Sequence, residues 1–321
     1  MYEVVDVPQE MLDEAAAVNG MVAELLAAAP STHTLPPEET RRARIEGKGW
    51  MGPLTHVDTA VDRTIPGPGG DVTVRTFTGD RVDGVYLHIH GGGWVLGGAD
   101  QQDVLLQRVA DEAGVVVVSV EYRLAPEHPF PAGPDDCLAA ARWVIDHAAD
   151  EWGTDRLVIG GESAGAHLSA LTLLRVRDDL AAPNAFCGAN LVFGAYDLAM
   201  TPSQRAWGDT NLVLSTPIME WFGEQFTPGW TTDERRRPEA SPLYADLAGM
   251  PPALFTVGTR DPLIDDSLFM AMRWRAAGAE ARLSVYPESI HGFVAFPTGI
   301  ARLSVAEQID FIARCVGEGG D

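Results

Sequence analysis

The sequence of 321 residues predicts an α/β fold, a doubly wound and mostly parallel sheet carrying a helical cap. Three observations predict it. From residue 84 onward, strand-like apolar runs alternate with helical stretches. One run, residues 115–122 (Val-Val-Val-Val-Ser-Val-Glu-Tyr), is apolar almost without a break, as expected of a parallel strand covered on both faces. Two glycine-rich turns, His90-Gly91-Gly92-Gly93-Trp94 and Gly161-Glu162-Ser163-Ala164-Gly165, each fall at the end of a predicted strand.

In chain order, residues 9–29 carry Met11, Ala15, Val18, Met21, Val22 and Leu25 at helical spacing. Pro30 ends that helix, and Pro36-Pro37-Glu38-Glu39 starts a second. Residues 53–78 read as two strands around Pro66-Gly67-Pro68-Gly69-Gly70, a hairpin-like turn. Strand 84–90 ends at the triple glycine, and strand 115–122 follows. A helix begins around Pro134-Asp135-Asp136, and strand 156–160 leads into the serine turn. Later strands fit 190–193, 253–257 and 282–286, and helices fit about 265–277 and 304–316. Crossovers of this length suit parallel pairing. Residues 198–240, rich in Trp and Pro and helical around 217–226, break the alternation. They read as an insertion that joins the N-terminal arm above the sheet. Residues 1–321 are thus expected to form a single domain, with a cap from about 1–50 and about 198–240.

Composition narrows the function. A net charge of −23 repels nucleic acid and anionic membrane surfaces. No run of eighteen apolar residues suggests a membrane span. The start, Met1-Tyr2-Glu3-Val4-Val5-Asp6, lacks the basic and apolar regions of a signal peptide, so a cytoplasmic location is expected. Cys137, Cys187 and Cys315 are widely spaced and read as thiols in a reducing compartment. No metal or cofactor is expected. Lys48 is the only lysine, which fits a GC-rich genome better than adaptation to high salt. The oligomeric state, a homodimer included, stays open.

The two turns carry chemistry in combination. G-x-S-x-G lifts a serine onto a sharp strand-to-helix turn, and the serine needs a base that a third group orients. In α/β-hydrolase architecture the order is Ser, then Asp or Glu, then His. With Ser163 as nucleophile, His291 is the only histidine after His167 and so the only base in that order. His167, one helical turn beyond Ser163, is expected below the site, in packing. Asp261, just after strand 253–257, is the expected acid, and Asp197 is its rival. Asp265 and Asp266 read as helix-start residues. Gly92, Gly93 and Ala164 are expected to aim N–H groups at a developing oxyanion, and His90 is expected to anchor that loop.

The motifs 90–94, Tyr122-Arg123-Leu124-Ala125-Pro126-Glu127, 161–165, Asp261-Pro262-Leu263 and His291-Gly292-Phe293 resemble the hormone-sensitive-lipase family, the bacterial family IV carboxylesterases. Ser241-Pro242-Leu243 and Pro251-Pro252-Ala253-Leu254 match it too. The resemblance implies a triad of Ser163, Asp261 and His291, an oxyanion hole of Gly92, Gly93 and Ala164, and hydrolysis of carboxylic esters through an acyl-enzyme. Two residues depart from the family pattern. Glu162 stands where Asp or Thr is usual, and reads as a loop brace or as a second acid. Ile264 stands where Arg is common. Competing functions are an aryl formamidase and, on the same scaffold, a ligand receptor resembling the gibberellin receptors. Trp221, Phe222 and Phe226 share a helical face with Ile218 in the insertion, and a pocket covered in this way predicts short to medium acyl chains.

Overall fold

The computed structural model describes residues 4–49 and 52–317. Its eight strands are β1 (Val61–Ile65), β2 (Val72–Thr78), β3 (Gly84–Ile89), β4 (Val115–Glu121), β5 (Leu157–Glu162), β6 (Gly188–Val192), β7 (Ala253–Arg260) and β8 (Ala281–Ile290). They form one sheet in the order β1-β2-β4-β3-β5-β6-β7-β8. β1 and β2 pair as an antiparallel hairpin, β2 lies antiparallel to β4, and β3 to β8 run parallel. The hairpin is narrower than its sequence suggests, since its first strand begins at Val61 rather than near residue 53.

Helices cover both faces. On one side lie α3 (Asp103–Ala113) and α10 (Gly299–Gly317); on the other lie α4 (Ala132–Trp152), α5 (Ala164–Asp178) and α9 (Ile264–Ala276). This division explains the unbroken apolar run of β4. Val115 and Val117 pack among Leu106, Val109 and Ile312 of the first side, while Val116, Val118 and Val120 pack among Ala140, Val144 and Leu168 of the second. Burying each such valine contributes roughly 1.5–3 kcal/mol. Helix α3 has no counterpart in the sequence reading. Gln102 at its start makes no side-chain capping bond, so the usual N-terminal signal is missing.

The arm folds as α1 (Gln9–Ala28), a short 3-10 turn (Thr32–Thr34) and α2 (Pro37–Ile45). Ala15 of α1 packs with Val285 of β8 and Ile300 of α10, and Asn19 donates to the Glu288 carbonyl at 2.7 Å. The stretch between β6 and β7 holds α6 (Pro202–Ala206), α7 (Thr216–Phe226) and α8 (Thr232–Arg235). The 3-10 turn of the arm touches α7, so the two segments meet. Asp265 and Asp266 fall in the first turn of α9, as their sequence reading has it, but Asp266 does more than start the helix. It does not cap its own helix; it accepts the Tyr196 and Asp197 N–H groups at 2.7 and 3.0 Å and side-chain bonds from Thr201 and Gln204 at 2.7 Å each. Asp265 likewise accepts the Ser203 N–H at 2.8 Å. Both carboxylates tie the start of the insertion to α9.

Candidate active site

The chain leaves β3 toward β4 on one side and later returns to place β5 on the other. The carboxyl ends of β3 and β5 therefore form a topological switch point, where open α/β sheets hold their ligands. Ile89 pairs with Gly161, which sets the His90 loop beside the serine turn. Farther along the sheet, Arg260 pairs with Ile290 at the ends of β7 and β8. Asp261 and His291 are the next residue of each strand, so register alone makes them neighbours.

Ser163 sits between β5 and α5 with φ 56° and ψ −118°, a conformation that side-chain-bearing residues rarely adopt. The turn can be this tight because a Cβ on Gly165 would stand 1.8 Å from the Ile89 carbonyl oxygen. The Ser163 N–H donates to the Val192 carbonyl at 2.8 Å, which anchors the strained residue to β6. Its Oγ lies 3.0 Å from His291 Nε2, and His291 Nδ1 lies 2.9 Å from Asp261 Oδ2. A carboxylate oxygen can only accept, so Nδ1 carries the proton and Nε2 faces the hydroxyl as an acceptor. The other Asp261 oxygen accepts the Leu263 N–H at 2.8 Å. Phe193 meets the His291 ring edge to face at 4.9 Å.

The glycine loop lies beside this trio. Gly92 has φ 120°, and a Cβ there would fall 2.0 Å from the Leu96 carbonyl oxygen. Among the described residues, the N–H groups of Gly92, Gly93 and Ala164 meet no acceptor. The loop is held from several sides. The Tyr122 hydroxyl donates to the His90 carbonyl at 3.0 Å, and the Ala125 N–H to the Trp94 carbonyl at 2.9 Å. Thus the 122–127 motif braces the glycine loop. Arg41 of α2 adds bonds to the Val95 and Ala125 carbonyls at 2.7 and 2.6 Å and pairs with Glu127 at 2.9 Å. His90 donates from Nδ1 to the Gly91 carbonyl at 2.8 Å and stacks on Tyr122 at 4.2 Å. Burial pushes its pKa down to about 4, which keeps it neutral.

His167 lies below the site, as its position in the sequence suggests. Trp94 Nε1–H donates to its Nδ1 at 3.0 Å, and its Nε2–H donates to the Ala240 carbonyl at 2.7 Å. Asp197 is committed elsewhere, accepting the Ala199 N–H at 2.8 Å and the Tyr244 hydroxyl at 2.9 Å. Glu162 braces the loop: it accepts from His88 Nε2 at 3.1 Å and from Gln102 at 2.9 Å. Burial works against its charge, yet His88 and Gln102 hold its pKa below the usual value. The sequence offered no signal for Gln102, His88 or Arg41, because each acts across at least 54 residues.

A cavity of about 860 Å3 opens over Ser163. Val18, Met21, Val22 and Leu25 of α1 line it from one side, and Met219 and Phe222 of α7 from another. Phe226 is spent on packing: it stacks on Trp94 at 4.7 Å. Among the described residues, no cluster of His, Cys, Asp or Glu is arranged to hold a metal ion, and no helix is long and apolar enough to cross a membrane.

A serine–histidine–aspartate trio at the carboxyl ends of a doubly wound sheet defines the hydrolase class. Residues 86–295 match the alpha/beta hydrolase fold family, and the chain belongs to it, within its hormone-sensitive-lipase group of bacterial esterases. It is 37% identical to the carboxylic ester hydrolase LipN of Mycobacterium tuberculosis, over 76% of this chain and 66% of that one. Among solved structures it is similar to the hyperthermophilic esterase of the archaeon Pyrobaculum calidifontis. That match has a TM-score of 0.82 and 31% identity, covering 93% of this chain and 97% of the other. An esterase from the bacterial hormone-sensitive lipase family matches with a TM-score of 0.80 and 29% identity, over 97% and 100% of the two chains.

Proposed function

We propose that this chain is a serine carboxylesterase that hydrolyses short- to medium-chain carboxylic esters through an acyl-enzyme. The observation that carries the reading is the relay from Asp261 through His291 to Ser163, with bonds of 2.9 and 3.0 Å. Ser163 Oγ attacks the ester carbonyl while His291 Nε2 takes its proton. The imidazolium is stabilised by Asp261 and returns the proton to the departing alcohol. Water then attacks the acyl-enzyme by the same route. Negative charge on the carbonyl oxygen is met by the N–H groups of Gly92, Gly93 and Ala164. Loss of one such donor typically costs about 3–4 kcal/mol of transition-state stabilisation. Segments of about 1–50 and about 198–240 act as a cap over one domain, and the described helices α1 and α7 within them line the cavity and limit the acyl chain it accepts. The protein works in the cytoplasm.

The test is covalent. An organophosphate or sulfonyl fluoride is expected to add one label per chain, at Ser163, and to abolish turnover of a butyrate ester. Labelling or activity that persists in Ser163→Ala would refute the assignment. An intact protein that takes the label yet turns over no ester would point instead to the receptor reading.

A further inference from the structure

Arg44 lines the cavity over Ser163 and has no acidic partner among the described residues. Acidic groups are nevertheless in excess in the chain, 46 against 23 basic ones. Its neighbours on α2 and around the cavity show the contrast. Arg41, three residues earlier and so on the same helical face, is fully engaged with Glu127 and two carbonyls. Arg75 pairs with Asp103, and Arg108 with Glu112. Arg44 makes a single long bond, 3.4 Å, to the Gln101 side-chain oxygen. The chain wraps back over its stem, where a Cβ on Gly49 would stand 3.5 Å from Arg44 Cγ. The residue as a whole is half-buried, and burial of its head holds its pKa below the ordinary guanidinium value.

The acidic groups lining the same cavity are already satisfied. Glu162 is held by His88 and Gln102, Asp103 by Arg75, and Asp197 by Tyr244. Among the described residues, the basic side chains that line the cavity without an acidic partner are Arg44 and Arg302, the latter exposed at the rim and donating to the Pro297 carbonyl. Gln101 adds a second donor. Because a guanidinium can only donate, the Gln101 oxygen must face Arg44, and its NH2 group is left without an acceptor among the described residues. A planar guanidinium beside a spare amide N–H is matched by a carboxylate, which accepts from both.

Building on the esterase reading, we propose that Arg44 and Gln101 form a carboxylate subsite, and that the preferred substrates are esters carrying a free carboxylate. The carboxylate is carried on either the acyl or the alcohol part. Arg41 fixes α2 to the glycine loop and so sets the distance between this subsite and Ser163.

The test compares matched esters by pH-stat: monoethyl glutarate against ethyl pentanoate for the acyl side, and butyryloxyacetate against propyl butyrate for the alcohol side. Wild-type protein is expected to favour the anionic member of one pair. Arg44→Gln should lower kcat/KM for that ester by at least ~30-fold, as loss of a buried charge partner does, while leaving its neutral match nearly unchanged. Arg44→Lys should restore part of the preference, and added salt should erode it in wild type. Both esters of a pair are turned over by the same preparation, so partial misfolding of a variant cancels from their ratio. Turnover of neutral esters with an anion ratio that ignores Arg44, or an equal loss on both members of each pair, overturns the subsite alone. No turnover of any ester in wild type overturns the esterase reading, and the subsite with it.

Discussion

Ser163, His291 and Asp261 each depend on one or two bonds, so single-atom changes separate their roles. In Asp261→Asn the side chain can present an NH2 group to Nδ1, which favours the wrong imidazole tautomer. The expected result is a fall in kcat of roughly 10^3–10^4 with little change in KM or folding. Asp197→Asn is expected to stay within a few-fold of wild type, because Asp197 is bound to Ala199 and Tyr244 rather than to the imidazole. Steady-state kinetics of the two variants decide the matter; greater damage from Asp197→Asn would mean that the acid is misassigned. Glu162 shows where reading residues alone stops. The sequence offers its carboxylate as brace or second acid, and only the bonds from His88 and Gln102 choose the first.

Helix α5 and the insertion are joined through His167, which is fully buried between Trp94 and the Ala240 carbonyl. Burial pushes this imidazole down to about 4 from an ordinary 6.5. Between these values the unfolded chain binds the proton and the folded one does not, so stability falls as pH drops through that window. The contribution is complete above pH 6.5, lost by about pH 4, and on the order of 3 kcal/mol. His167→Gln keeps one donor and one acceptor but removes the titration. Urea unfolding should find the variant less stable than wild type near pH 7, with the gap closing toward pH 4. A gap that stays constant across this range would show that His167 does not titrate as described. His90, also down to about 4, supplies a second share of the acid sensitivity in both proteins.

At the scale of the whole molecule, the cavity of about 860 Å3 sets the substrate size. It lies toward the upper end of the ordinary range for small-molecule sites, roughly 300–1,000 Å3, and α1 and α7 line it. A p-nitrophenyl ester series is expected to peak near C4–C6 and to fall steeply by C12. A maximum at C14 or beyond, or a jump in rate once the substrate forms an emulsion, would replace the esterase reading by a lipase. The acidic balance of the chain points the same way, since −23 charges disfavour docking on anionic lipid.

What the sequence determined by itself is whatever depends on short-range pattern. The apolar run of β4 announces a strand covered on both faces. The glycines around Ser163 announce a tight turn, and the order Ser163, Asp261, His291 nominates three side chains more than 120 residues apart at their extremes. These signals are local because periodicity and turn sterics act within a few residues. Tertiary structure alone decided the rest. It placed α3, which starts without a capping side chain, and it gave Asp266, in the first turn of α9, the added role of a tie to the Tyr196–Asp197 backbone. It also set Arg41 against the glycine loop and left Arg44 facing the cavity without a carboxylate among the described residues. Partners of this kind meet only when strand register and helix packing bring distant segments together, and no pattern along the chain records which side chain will be waiting there.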